Sequence, residues 1–363
     1  MKSYNYLWEK YISEENYYEA VSNATKKKGG KRRKNRLRDM YKKNVEINKN
    51  RLLSYAQNYR NDEHIPKKIY DGIRKKVRYI IVPSMSEQVV HHMIVNVLKP
   101  IFLKGMYEHS YGSIPGRGAH LAKQRLEKYI RNYSNKCKYV LKMDIKKYFD
   151  SIPHDILKNN LGLIIHDARF LEVLYTVIDV VPGNHGIPLG FYTSQWFANW
   201  YLQGLDHYIK EVLKAKCYFR YMDDMVIIGP NKRELHKMRE LIEEYLETKL
   251  GLQLKENWQV YQFDYSGKGR DIDFMGFRFF RDRTILRKSI ALKATRKARR
   301  IVKKGMNIYT ARQMLSYLGW IDATDTYKWY LTYIKPFVSF RALRHYVSRW
   351  QINQLNEAEV IVI

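Results

Sequence analysis

The spacing of apolar residues changes several times along this chain, and each change predicts an element. Leu7, Trp8, Tyr11 and Ile12 recur at helical spacing, so helix is expected to about Ala24. Residues 77–82 are rich in Val, Ile and Tyr and predict a strand; residues 86–102, with Val89, Val90, Met93, Ile94, Val97 and Leu98 apolar, predict a long amphipathic helix. A passage with three glycines and a proline, Ser110 to Gly118, forces turns that bring Arg117 close to whatever binds there. A strand over 139–143 ends in Asp144, and helix is expected over 153–161. After a loop at 183–190, helix is expected over 192–208. The runs at 217–221 and 225–228 flank only Met222-Asp223-Asp224, which reads as a β-hairpin with acids at its tip. Residues 231–250 read as helix, 259–264 and 272–281 as strand, and the chain from about Lys288 as helical and strongly basic. Neither an internal repeat nor a low-complexity linker interrupts the pattern.

Charge narrows the class of partner. Lys and Arg number 66 against 36 Asp and Glu in 363 residues, a net charge of +30, in a chain with 45% hydrophobic residues. A folded, basic protein with a polyanionic partner is the expectation, and 31 Tyr and 7 Trp offer faces on which unpaired bases can stack. Eight Lys or Arg lie between Lys26 and Arg36, around Gly29-Gly30, and predict an exposed basic turn suited to phosphate contact. Cys137 and Cys217 have no Cys or His neighbours at metal spacing, which indicates neither a zinc site nor a disulfide framework. Without an apolar signal core or a run of eighteen apolar residues, a soluble cytoplasmic protein with no membrane association is expected.

Two adjacent acids at a hairpin tip repel each other unless cations intervene. Magnesium removes the objection, since it takes one or two carboxylates and completes its octahedron with water and substrate phosphates. A pair of such ions stabilises the attacking and leaving oxygens of an in-line phosphoryl displacement. That chemistry needs a third carboxylate from another strand, which Asp144 can supply.

The order of these segments resembles reverse transcriptases along most of the chain. The matching pieces are the strand from Arg78 to Pro83, Ser110 to Gly118, Met143-Asp144-Ile145-Lys146-Lys147-Tyr148-Phe149-Asp150, Gly186 to Gln195, Tyr221 to Asp224, and Phe274-Met275-Gly276-Phe277. The resemblance implies an α+β right-hand polymerase fold. Residues 1–136, with 152–190, would form an N-terminal extension and fingers, 137–283 the palm, and 284–363 a basic helical thumb. It implies that Asp144, the Ile145 carbonyl, Asp223 and Asp224 hold two Mg²⁺ ions. Phe149 would lie under the sugar of the incoming deoxynucleoside triphosphate and reject a 2′-hydroxyl. Arg78, with Lys76 second, would reach the triphosphate, and Leu189, Gly190 and Gln195 would complete the nucleotide site. Arg117, Tyr221, Met222, Phe274 and Gly276 would contact template or primer, the last two as a primer grip. Lys255 is a candidate general acid for the pyrophosphate, although family members often place a lysine where Trp258 stands.

One departure refines the family. Many reverse transcriptases carry Gln-Gly followed by Ser-Pro where this chain has Leu189-Gly190-Phe191-Tyr192-Thr193-Ser194-Gln195. That pattern, with Lys255 to Val260 and Ser316-Tyr317-Leu318-Gly319-Trp320, resembles the reverse transcriptases of diversity-generating retroelements, encoded by bacteria, archaea or phages. Leu189 offers only apolar contact where a glutamine amide could fix the sugar, so loose discrimination between bases is expected. The resemblance sharpens this to misincorporation at template adenines and implies a structured template RNA, an RNA/DNA hybrid and a small basic accessory variability protein as partners. The alternatives are a group II intron-type reverse transcriptase with maturase function, a viral RNA-dependent RNA polymerase, which Phe149 disfavours, and an RNA-binding scaffold without catalysis.

Overall fold

The fold is taken from a computed structural model, which describes residues 3–26, 32–60, 64–71, 76–264 and 268–359, with the backbone alone at 32–35, 71, 76 and 354–359. Helical spacing at the start of the chain yields α1 (Leu7–Tyr11), α2 (Glu14–Thr25), α3 (Arg32–Lys43) and α4 (Val45–Gln57). Of the basic turn expected around Gly29-Gly30, residues 27–31 lie outside the described residues, and the remainder opens α3. Strands β1 (Lys67–Asp71) and β2 (Lys76–Ile80) form an antiparallel hairpin with Ile69 opposite Arg78. Nothing in the periodicity announced β1, because Lys67, Lys68 and Asp71 leave it only two apolar residues, and its pairing with β2 defines it. The Ser84 hydroxyl accepts from the Glu87 amide while Glu87 reaches back to the Ser84 amide, a capping box that starts α5 (Met85–Lys104). Val89, Val90, Met93, Ile94, Val97 and Leu98 are all buried, and α5 packs against α2.

After α6 (Ala119–Asn132) come β3 (Tyr139–Asp144), α7 (Tyr148–Ser151), α8 (His154–Gly162), α9 (Ala168–Ile178), α10 (Tyr192–Tyr201) and α11 (Gln203–His207). The helix expected over 192–208 is therefore two, and a π-helical turn at Tyr208–Val212 ends the second. Strands β4 (Cys217–Tyr221), β5 (Asp224–Gly229) and β6 (Gln259–Gln262) join β3 in an antiparallel sheet of order β4-β5-β3-β6, with α12 (Lys232–Leu250) between β5 and β6 in sequence. Side chains alternate across a strand, and here both faces are buried. Leu141, Met143, Tyr218, Met225 and Ile227 join the core shared with α2 and α5, whereas Val140, Cys217, Phe219, Val226 and Ile228 join a second core with the C-terminal segments. This is why these strands read as nearly continuous apolar runs.

The strand expected over 272–281 is broken by a turn at Met275-Gly276 into β7 (Ile272–Phe274) and β8 (Phe277–Phe279), to which β9 (Thr284–Leu286) adds. Residues 284–286 thus belong to a sheet, and the helical segment expected from 284 starts at α13 (Lys288–Lys304). It continues through α14 (Ile308–Leu315), α15 (Leu318–Asp322), α16 (Tyr327–Tyr333) and α17 (Phe340–Glu359). Among the described residues no helix is long and apolar enough to cross a membrane. The architecture is α+β.

Candidate active site

Antiparallel register brings the acids together. Asp144, the last residue of β3, lies opposite Asp224, the first of β5, and Tyr221 at the end of β4 pairs with the same Asp224. Asp224 is thus within the strand, and the hairpin loop is Met222-Asp223 alone. Met222 has φ 57°, a left-handed conformation usually left to glycine in such loops.

The carboxylates crowd one another. Burial, then the neighbouring Asp144 carboxylate, pushes Asp223 up to about 7, with Lys255 opposing. Asp224 is pushed up to about 6 by burial, against the pull of Lys142. Lys255 Nζ donates to Asp144 Oδ2, and Lys142 Nζ stands 3.9 Å from Asp224 Oδ1. Around 33% of the Asp144 side chain and 28% of that of Asp224 stay accessible, so the site opens to solvent. Yet Oδ1 of each is buried without a hydrogen-bond partner. Uncompensated carboxylate oxygens in a crowded acidic site are the donors a hard divalent cation takes. Among the described residues no three His, Cys, Asp or Glu converge enough to ligate one ion. Magnesium does not require that, since phosphate and water complete its shell. The donor set fits it.

Of the other predicted residues, Ile145 and Lys255 lie beside these acids. Ile145 is buried and bridges to Leu254, and the Lys255 amide donates to the Asp144 carbonyl at 2.8 Å, so the segment bearing Lys255 is fastened to the end of β3. Trp258, where a lysine is common in the family, lies against the Arg239 guanidinium at 4.6 Å. Phe149 is half-buried beside Tyr148. The Ile81 amide donates to the Leu189 carbonyl at 2.7 Å, and a Cβ on Gly190 would fall 2.0 Å from the Ile81 carbonyl oxygen, so this loop is seated on the chain leaving β2. Arg78 on β2 and Gln195 in the first turn of α10 are exposed; the Lys76 side chain lies outside the described residues.

Other residues take different places. Arg117 Nη1 donates to the carbonyls of Tyr107 at 2.6 Å and Ser110 at 3.3 Å, tying its own loop together. The Phe274 ring is fully buried, so any contact from this turn to a primer is made by backbone. Gly276, at φ 91°, leaves no room for a side chain: a Cβ would meet Ile290 of α13 at 2.7 Å and Trp320 of α15 at 3.0 Å. Two residues went unread. Lys142 donates to the Asp273 carbonyl as well as facing Asp224, and Arg220 holds the Met222 carbonyl. Each is a lone cation inside an apolar strand, a signal that was available.

A palm-like sheet with paired acids at adjacent strand ends is the arrangement that metal-dependent nucleotidyl transfer of the polymerase class calls for. Comparison narrows it. Residues 65–279, more than half of the chain, match the profile of the family described as reverse transcriptase (RNA-dependent DNA polymerase). The chain belongs to that family and has its right-hand polymerase fold. Protein YkfC of Escherichia coli is 25% identical over 250 residues, 58% of this chain and 65% of that protein. The group II intron-encoded protein LtrA of Lactococcus lactis is 28% identical over 170 residues, 45% of this chain and 27% of LtrA. The match thus spans less than two thirds of either relative. A telomerase structure from Candida tropicalis, in complex with a fragment of telomeric RNA, aligns with a TM-score of 0.46 and 13% identity, covering 77% of this chain and 58% of that one.

Proposed function

We propose that this protein synthesises DNA on an RNA template and does so inaccurately at template adenines, as a diversity-generating reverse transcriptase. The observation that carries the polymerase reading is the meeting of Asp144, Asp223 and Asp224 at the ends of β3 and β5, with two carboxylate oxygens buried and unpartnered. These acids, with the Ile145 carbonyl, would hold two divalent ions, which when bound supply charge stabilisation for displacement of pyrophosphate by the primer hydroxyl. The chain's own groups do the rest. Arg78, with Lys76 beside it, binds the triphosphate; Phe149 supports the sugar; Gly190 and Gln195 border the nucleotide. Lys255, whose Nζ donates to Asp144, is the group that would act as general acid to the leaving pyrophosphate. Backbone at Phe274 and Gly276 fixes the primer end, and Tyr221 and Met222 border the duplex.

The inaccuracy rests on Leu189. Its backbone is fixed by Ile81, and its side chain carries no amide to hold a sugar hydroxyl, so right and wrong nucleotides differ less in transition-state energy. The template RNA and a small basic accessory protein belong to the same proposal. The test is primer extension on an RNA template with Mg²⁺ and each deoxynucleotide, wild type beside Asp223→Ala/Asp224→Ala, with the products sequenced. Activity lost in the double variant and errors concentrated at template adenines are expected. Replacing Leu189 with Gln should lower the error frequency by about threefold to tenfold, the scale of about 1 kcal/mol of discrimination; an unchanged frequency would remove Leu189 from the account. Accurate copying would favour an intron-type enzyme, the reading to which the match with LtrA lends weight. Inactive wild type, even with cellular RNA and candidate partners added, would favour an RNA-binding scaffold.

A further inference from the structure

Arg220, on β4, is fully buried, and its guanidinium engages three segments at once. Nε and Nη2 donate to the two oxygens of Asp206 on α11, at 2.7 and 2.5 Å. Nη2 also reaches the Asn199 carbonyl on α10 at 3.3 Å, and Nη1 reaches Asn199 Oδ1 at 3.4 Å. The remaining Nη1 donor goes to the Met222 carbonyl at 3.0 Å. All five N–H groups of the guanidinium are thereby used.

Two features argue that this arrangement serves the turn rather than stability. A buried ion pair seldom stabilises a fold more than apolar residues of the same volume would. This one is further elaborated, since Asp206 Oδ1 also accepts from the Tyr218 hydroxyl at 2.7 Å. Second, the peptide that Arg220 grips follows Met222, whose φ of 57° is costly for a side chain of that kind. Such a conformation persists only where its surroundings over-determine it. The surroundings here do so from both sides: Arg220 draws on the carbonyl, and Gly112 lies so close beneath that a Cβ there would meet the Met222 amide nitrogen at 2.7 Å. Asn199 in turn donates to the Gly112 carbonyl at 2.7 Å, closing the ring of contacts.

We infer that Arg220 is a positioning residue for nucleotidyl transfer: neutralised by Asp206, it holds the Met222 carbonyl and so aims Asp223 and Asp224. Asp206 supplies the counter-charge, so that the cation does not compete with a metal for the catalytic acids. The inference rests on the polymerase reading above, and two measurements separate their fates. Arg220→Lys keeps the charge beside Asp206 but cannot reach both Asp206 and the Met222 carbonyl. With Mg²⁺ and an RNA template, its kcat should fall by about a hundredfold, the loss that follows a misplacement of about 1 Å, while the nucleotide KM stays within about threefold. Titration calorimetry with Mn²⁺ on the full chain should show binding weakened by about tenfold, whether or not the wild type extends a primer. Should Arg220→Lys fail to fold, the paired change Arg220→Met/Asp206→Leu removes both buried charges together, and the same losses are expected of it. Unchanged Mn²⁺ affinity in a folded variant overturns the inference. So does a wild-type kcat. A wild type that binds Mn²⁺ more tightly than the variant yet extends no primer counts against the polymerase reading alone.

Discussion

At the scale of single residues, ionisation separates what the site needs from what the fold prefers. Asp223 keeps its proton up to about pH 7 in the folded chain, against an ordinary value of 3.8. Between those values the folded state binds more protons than the unfolded, so stability falls as pH rises through the window. The penalty is absent below about 4 and complete above 7. Asp223→Asn should therefore melt a few degrees above the wild type at pH 8, from a gain of about 1 kcal/mol once partial exposure is discounted, and level with it at pH 4. Primer extension by the same variant should fall by about a thousandfold. Thermal scans at the two pH values check the first half; a variant less stable at pH 8 would contradict it. His91 works in the opposite sense. Burial beneath Phe191, whose ring lies 4.3 Å away, pushes its imidazole down to about 3. The unfolded chain protonates near 6.5 while the fold keeps the ring neutral, so this stability is whole above 6.5 and is lost as pH falls toward 3. From pH 7 to 5 the wild type should lose about 2 kcal/mol through His91 that His91→Gln does not lose, a difference readable in urea denaturation at both pH values.

At the scale of elements, the joint between the β1–β2 hairpin and the start of α10 is a pair of backbones in contact. Gly190 has φ +117° and no space for a Cβ, whereas Gly116 has φ +73° and nothing within 4 Å of the position. Gly190→Ala should cost at least about 2 kcal/mol and raise the nucleotide KM; Gly116→Ala should cost about 1 kcal/mol, from the backbone term alone. Equal losses in urea denaturation would mean that the contact with Ile81 contributes nothing. The same region marks where reading from residues succeeds. Helices with a capping signal or an apolar face, such as α5 and α12, and strands apolar on both faces, such as β3, β4 and β5, were legible because burial writes itself into composition. Strand β1 was not, since it is paired with only one strand and carries mostly charged residues. The split of α10 from α11 was also hidden, whereas the turn between β7 and β8 carries its own local signal in Gly276, at φ 91°. At the site the acids were legible from their order along the chain. Arg220 was not read, although an arginine inside Cys217–Tyr221 calls for a buried counter-charge, and only the fold could identify that charge as Asp206.

At the scale of the whole molecule, the palm sheet divides the interior into two cores, and the candidate catalytic acids stand at the strand ends where that partition stops. Bordering the second core, α13 turns Ala294, Thr295, Ala298 and Ile301 inward and leaves Lys293, Arg296, Arg300 and Lys303 exposed. A net charge of +30 destabilises a compact chain through self-repulsion, and a polyanion relieves it by releasing its own counterions when it binds. Affinity for RNA should accordingly fall steeply with salt, by about a thousandfold or more between 50 and 200 mM if about six phosphates or more are engaged. If the exposed face of α13 follows the duplex, Arg296→Gln/Arg300→Gln should lower the slope of log affinity against log salt by about one for each contact removed, and leave the melting temperature where it was. A slope unchanged in the double variant would move the duplex off α13 and onto the other basic surfaces, with the exposed cations of α3 the next to be replaced. Because the exposed cations of α13 sit opposite its buried face, this experiment separates binding from folding more cleanly than any substitution at the acids can.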